Sequence, residues 1–194
     1  MPEPQDLAKI ILASASSRRH ELLSYLITHF EISCADIDET PLKNELPENL
    51  VRRLAETKAE TILCKNKDAI VIGADTIVTL GNEIFGKPEN QNDSINILSK
   101  LAGKRHIVMT CVAMRSKTKK ISQVVNTEVD FTCLTKQQIQ DYWQTGEPQD
   151  KAGSYAIQGI GGKFVSRING SYSNVVGLPL VETQAMLTRM GIDT

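Results

Sequence analysis

The apolar positions of this chain follow two rhythms that alternate along it. Ile10-Ile11-Leu12 is an unbroken apolar run of strand type, and the small polar residues 13–17 lead from it into a helical run over residues 21–26. Residues 30–34 alternate as a strand and pass into the acidic loop 35–41. Over residues 49–65, Leu50, Leu54, Ile62 and Leu63 recur with alanines between them. That pattern predicts a helix with its basic residues on the other faces, and Lys58 lies on it. Residues 69–72 predict a buried strand ending in Gly73-Ala74-Asp75-Thr76, with Gly81-Asn82 at the turn of a hairpin beyond. The proline of Phe85-Gly86-Lys87-Pro88 keeps that stretch extended or turning.

Residues 94–101 are helical, and Gly103 stops them. Two long β-rich segments, 106–114 and 121–133, predict antiparallel strands on either side of a basic turn. Thr135 caps a helix carrying Tyr142 and Trp143, an aromatic pair assigned to core or dimer contacts. A glycine-rich stretch then leads to a last helix over residues 180–190. Parallel and antiparallel signals in one chain predict an α/β fold with a mixed, curved sheet flanked by helices. With no repeat or linker, residues 1–194 are expected to form a single domain of two lobes around one cleft.

Composition removes several functions. A net charge of -1 gives no bulk attraction to nucleic acid or to an anionic membrane, so any polyanion bound here is small and held locally. Cys34, Cys64, Cys111 and Cys133 form no CxxC pair and read as core filler in a reducing cytosol. The polar Pro-Glu-Pro-Gln-Asp start and the lack of a long apolar run predict a cytoplasmic protein.

Chemistry gathers at two strand-to-loop junctions. In the first, small residues let a backbone approach a ligand and serines offer hydrogen bonds. Arg18 and Arg19 open a helix whose N-terminus favours anions. The plainer alternative is a serine cap beside solvated arginines. In the second, Asp75 is placed at the carboxyl end of a strand, where open α/β sheets bind ligands. Together the junctions point to metal-assisted phosphate chemistry. His20, His29 and His106 lack metal-ligand spacing, no serine sits in a nucleophile elbow, and Gly159-Ile160-Gly161-Gly162 reads as a flexible turn.

Seven ordered motifs carry a resemblance that covers nearly the whole chain. They are Ser14-Ala15-Ser16-Ser17-Arg18-Arg19, Asp38-Glu39-Thr40, Leu54-Ala55-Glu56-Thr57-Lys58-Ala59, Gly73-Ala74-Asp75-Thr76, Gly86-Lys87-Pro88, the stretch from Asp150-Lys151-Ala152 to Gln158-Gly159, and that from Asn169-Gly170-Ser171 to Pro179-Leu180. They resemble the motifs of the Maf family of nucleoside triphosphate pyrophosphatases, with Ser17 standing where the family usually has proline. The resemblance implies a fold like that of the inosine triphosphate pyrophosphatases, with a deep central cleft, and a homodimer. It also implies cleavage between the α- and β-phosphates of a nucleotide, aided by a divalent cation, Mg or Mn.

Carried over position by position, the resemblance assigns substrate binding to Ser14, Ser16, Arg18, Arg19, Lys58, Thr76, Lys87 and Gln158. Glu39 and Asp75 become metal ligands, and Asp75 also the acceptor of the proton from water. These residue types suit the reaction. Arginine pairs with phosphate oxygens, lysines add point charges, and carboxylates are the hard ligands such cations accept. Whether Asp75 acts as base, ligand or both stays open at this point. Arg18, Thr76 and Gln158 look like the branch acting on dTTP and UTP. The 7-methylguanosine triphosphate branch tends to carry glutamate in place of Gln158. A glutamine amide can pair with O4 and N3–H of uracil or thymine, whereas a carboxylate only accepts. A purine-directed relative and a non-enzymatic regulator of cell division are the alternative readings.

Overall fold

A computed structural model of the protein describes residues 9–192, so the polar stretch at 2–6 lies outside the described residues. Seven strands make one mixed sheet. In chain order the elements are β1 (Ile10–Leu12), α1 (Ser17–Ser24), β2 (Glu31–Ile32), α2 (Pro47–Lys65), β3 (Ile70–Leu80), β4 (Glu83–Phe85), α3 (Gln91–Leu101), β5 (Arg105–Arg115), β6 (Lys120–Phe131), α4 (Lys136–Gln144), β7 (Val165–Asn169), α5 (Tyr172–Val176) and α6 (Leu180–Met190). Single 3-10 turns occupy Glu147–Asp150, Ala152–Ser154 and Ile160–Phe164. The strand order is β2-β1-β3-β5-β6-β7, with β4 added to β3. β1 runs parallel to both neighbours, and the remaining pairs are antiparallel.

The expected end of β3 within Gly73-Ala74-Asp75-Thr76 is corrected. The strand continues through Gly73, Ala74, Asp75 and Thr76 to Leu80, because β5 pairs with it from Val71 to Thr79 and carries the weak strand formers along. What stops at Ile72 is the other edge. β1 pairs only with residues 70–72, and β4 takes up that same edge at Val78, leaving residues 73–77 without a strand on it. Asp75 therefore sits mid-strand, opposite a gap in the sheet, and that gap supplies the crevice which a strand end was expected to supply.

Alternation along β3 divides the core. Val71 and Ile77 face the cluster under α2, while Ile70, Ile72 and Ala74 face the cluster formed with α1 and α6. The buried stripe of α2 runs Leu50, Val51, Leu54, Ala55, Lys58, Ala59, Ile62 and Leu63. Lys58 is thus on the buried face and not among the polar faces, a second correction. The helix also lies unusually close to the sheet. A Cβ on Gly73 would overlap Ala55 O and come within 2.9 Å of Ala59 N. Of the cysteines only Cys111 is core; Cys34, Cys64 and Cys133 are exposed, so core filling describes one of the four.

A third cluster, under α3 and α4, contains a buried histidine. His106 Nε2 lies 2.9 Å from Tyr155 Oη, its ring meets Phe131 edge to face, and Nδ1 is unpartnered. Burial drives its pKa down to about 4, against a smaller opposing pull from Asp130. Between pH 6.5 and 4 the unfolded chain therefore binds the proton that the folded chain refuses, and stability falls as pH falls. The loss over that window is about 3 kcal/mol from this one residue. Urea titrations across the window should show this slope in the wild type and a flatter one in His106→Gln; equal slopes would remove the assignment.

Candidate functional site

Adjacent residues of β3 face opposite sides of the sheet, so Asp75 and Thr76 reach separate constellations that meet at the gap. On the α2 side Lys58 Nζ lies 2.7 Å from Asp75 Oδ1 and 2.6 Å from Glu39 Oε1. Helical spacing carries the lysine down onto β3, and Lys58 and Asp75 are only 8 % and 6 % exposed. Glu39 arrives from the acidic loop, which is fastened at several points. Ala35 and Ile37 pack on the α2 cluster, and Arg53 donates to Thr40 O at 3.1 Å while pairing with Glu45 at 2.7 Å.

Burial raises the Asp75 carboxyl above its usual range despite the charges of Lys58 and Arg19. Glu39 behaves oppositely. Burial pushes it up, but the Lys58 hydrogen bond and the charges of Lys58, Lys87 and Arg19 together hold it below the ordinary value. Two hard oxygen donors thus converge on a single cation. Among the described residues, no set of three or more His, Cys, Asp or Glu side chains forms a metal site.

On the other side, Arg19 is held at three points. Nε donates to Gly177 O at 2.9 Å, Nη2 to Thr76 Oγ1 at 2.9 Å and Nη1 to Ser14 Oγ at 3.3 Å. Thr76 is itself 3.0 Å from Thr110 Oγ1, which donates to Asn174 O. Asn174 spans to Val108 O and Thr127 Oγ1, tying α5 to β5 and β6. Ser16 caps α1 by accepting from the Arg19 amide, and Ser14 Oγ accepts from the Ser16 amide. The serine cap and the arginine anchor thus occur together.

These groups border a cavity of about 410 Å³. Ser14, Ser16, Arg18, Arg19, Glu39, Lys58, Thr76, Lys87 and Gln158 all line it, so nine of the ten residues singled out from sequence share one wall. Asp75 is the exception: it is not among the lining residues but is paired with Lys58, which is. The cavity also holds residues that sequence reasoning did not single out individually. Lys151, paired with Asp150, adds a fifth cation to Arg18, Arg19, Lys58 and Lys87, and Tyr155 and Ile157 add apolar surface beside Gln158. The adjacent Asp-Lys pair before a glycine was the available signal. Gly159-Ile160-Gly161-Gly162 is no flexible turn, since the Ile160 and Gly161 amides both donate to Glu147. Tyr142 is core, as one of its two expected roles required.

Comparison with known proteins is consistent with this geometry. A family profile described as "Maf-like protein" matches residues 9–190. A "dTTP/UTP pyrophosphatase" of Pseudoalteromonas atlantica is 51% identical over 187 residues, covering 94% of this chain and 97% of its own. A protein of the same name from Myxococcus xanthus is 46% identical, covering 96% and 95%. Among solved structures, a HAM1 protein from Coxiella burnetii superposes with a TM-score of 0.50 over 94% of this chain and 100% of its own, at 16% identity. That last likeness concerns the fold alone.

Proposed function

The chain belongs to the Maf family, and from that premise we propose that it is a nucleoside triphosphate pyrophosphatase acting on dTTP and UTP. The close relatives carry that name over nearly their whole length. The observation that carries the reading is the gathering of Arg18, Arg19, Lys58, Lys87 and Lys151 around one cavity, with a buried carboxylate paired with Lys58. A triphosphate needs its charge neutralised and a water aligned, and little covalent chemistry is asked of the protein.

Arg19 uses three of its five N–H groups on Gly177, Thr76 and Ser14, which leaves two for phosphate oxygens in a fixed orientation. Lys87 and Lys151 supply point charges. Water adds to phosphorus, the anhydride bond between the α- and β-phosphates breaks, pyrophosphate leaves with the bond electrons, and Asp75 accepts the water proton. Burial raises the Asp75 pKa and favours proton acceptance there, while a cation bound beside it would lower that pKa and acidify the water as well. Glu39 and Asp75, whose oxygens share the Lys58 ammonium, are the hard donors that would hold a Mg or Mn ion. When bound, it supplies further neutralisation of phosphate charge.

Base selection falls to Gln158, with Arg18 and Thr76. Thr76 serves through Arg19 as well, since its hydroxyl accepts from the guanidinium. The same reading includes one domain over residues 1–194, a cytoplasmic location and a homodimer, the last checked by light scattering. No helix among the described residues is long and apolar enough to cross a membrane.

The decisive experiment is a nucleotide panel with Mg²⁺ and with Mn²⁺, reading both products. Equimolar pyrophosphate and monophosphate from UTP and dTTP is the expected result; orthophosphate release, or preference for purine triphosphates, would contradict it. Gln158→Glu should lower kcat/KM for UTP by about tenfold or more, because a carboxylate then opposes O4 with no donor between them. Hydrolysis of 7-methyl-GTP should suffer less. An equal fall for both would deny Gln158 its part in reading the base.

A further inference from the structure

Gln158 makes no side-chain hydrogen bond to another described residue, so its direction is set through its backbone. Both flanks of that backbone are gripped by two side chains from outside the cavity wall. Ala156, two residues earlier, donates its amide to Tyr142 Oη at 3.0 Å. Ile160 and Gly161, just beyond, donate theirs to Glu147 Oε2 and Oε1, each at 2.9 Å. Tyr142 closes the arrangement by donating to Glu147 Oε1 at 2.6 Å.

The grip depends on bare backbone. A Cβ on Gly159 would land on the Glu147 carboxylate, and one on Gly161 would sit 2.5 Å from Tyr142 Oη. It is also rooted in the core: Tyr142 is 1 % exposed on α4, with its ring edge to face on Phe164 at 5.0 Å. Burial pushes Glu147 up, but the hydrogen bonds from Tyr142, Gly161 and Ile160 more than offset it and keep the carboxylate ionised, while burial raises Tyr142 and keeps it a donor. Neither residue lines the cavity, and the reaction above uses neither.

We propose that Glu147 and Tyr142 are positioning residues for base selection, clamping the 156–161 segment so that the Gln158 amide meets the pyrimidine edge at a fixed reach. The inference rests on the reading of Gln158 as the base-contacting residue. Glu147 accepts three hydrogen bonds with two oxygens. Glutamine in its place keeps the shape but turns one acceptor into a donor; with its oxygen toward Gly161 and Tyr142, its amino group faces the Ile160 amide, donor against donor. The segment then loosens on one side of Gln158 while the phosphate-binding residues stay in place.

The test compares UTP with ribose 5′-triphosphate, which carries the same phosphates and no base, using the full chain. Glu147→Gln should lower kcat/KM for UTP about tenfold, chiefly through KM, and leave ribose 5′-triphosphate within about twofold. Gln158→Ala should do the same, and the double variant should fall no further, because both act on one contact. Tyr142→Phe, which keeps the buried ring, should move in the same direction. Hydrogen exchange of the 156–161 amides should quicken in Glu147→Gln. Equal losses on both substrates, additive losses in the double variant, or an unchanged UTP preference in Glu147→Gln while Gln158→Ala loses it, would each overturn the clamp. An unchanged preference in Gln158→Ala would instead overturn base reading by Gln158, and the proposal with it.

Discussion

Asp75→Asn should lower the rate of pyrophosphate release by about two to four orders of magnitude, the range a positioned general base contributes, while leaving the fold intact. The substitution keeps the shape of a side chain that is 6 % exposed, and the amide oxygen can still accept from Lys58. What disappears is the negative charge and the basicity. Stability should change little, because two effects oppose: asparagine removes a carboxylate whose ionisation burial disfavours, and it also takes from the buried Lys58 ammonium one of its two counter-charges, leaving Glu39. Thermal unfolding and a pyrophosphate assay on the same sample check both halves. A folded Asp75→Asn protein with near-normal turnover would remove Asp75 from the chemistry.

Gly73→Ala should be the most damaging single methyl in the sheet. The added carbon would overlap Ala55 O and press on Ala59 N at 2.9 Å and Ala59 Cβ at 3.0 Å, all within α2. Two of these are backbone atoms, so no rotamer relieves the contact and the helix must lift away from β3. A loss of about 3 kcal/mol follows, or a Tm lowered by about 6–12 °C in a chain of this size. Lys58 rides on the same helix, so its 2.7 Å contact with Asp75 should lengthen and turnover should drop in the fraction that still folds. Gly86→Ala, where nothing lies within 4 Å, is the control for stability. A Tm within a degree or two of wild type would show that α2 yields more easily than its packing suggests.

Much of this was legible because periodicity is local. The final helix, the Gly81-Asn82 hairpin and the Thr135 cap stand where pattern and turn chemistry put them. Asp75 was found as a candidate but placed at a strand end, since Gly-Ala-Asp-Thr has little strand preference of its own and the pairing that extends β3 comes from β5, more than thirty residues away. The burial of Lys58 could have been seen: Leu50, Leu54, Lys58 and Ile62 are spaced by four and share one helical face. β7 and α5 were missed because they are short. One borrows its ladder from β6, and the other is five residues long behind the Ser171 cap. The Glu147 clamp leaves no periodic trace at all, since a carboxylate meeting amides 13 and 14 residues downstream follows no local rule.

The Arg19–Gly177 hydrogen bond joins positions 158 residues apart. During synthesis Arg19 leaves the ribosome long before its anchor exists. Closing so long a loop costs about 3 kcal/mol more in chain entropy than closing one of about five residues. This cavity-lining arginine therefore cannot complete its set of contacts until residue 177 has been made. The same span works in reverse once folding is complete. A nucleotide that holds Arg19 in place also holds the 171–177 region against the sheet, so occupancy should be read far from the ligand, as slower proteolysis of that downstream segment.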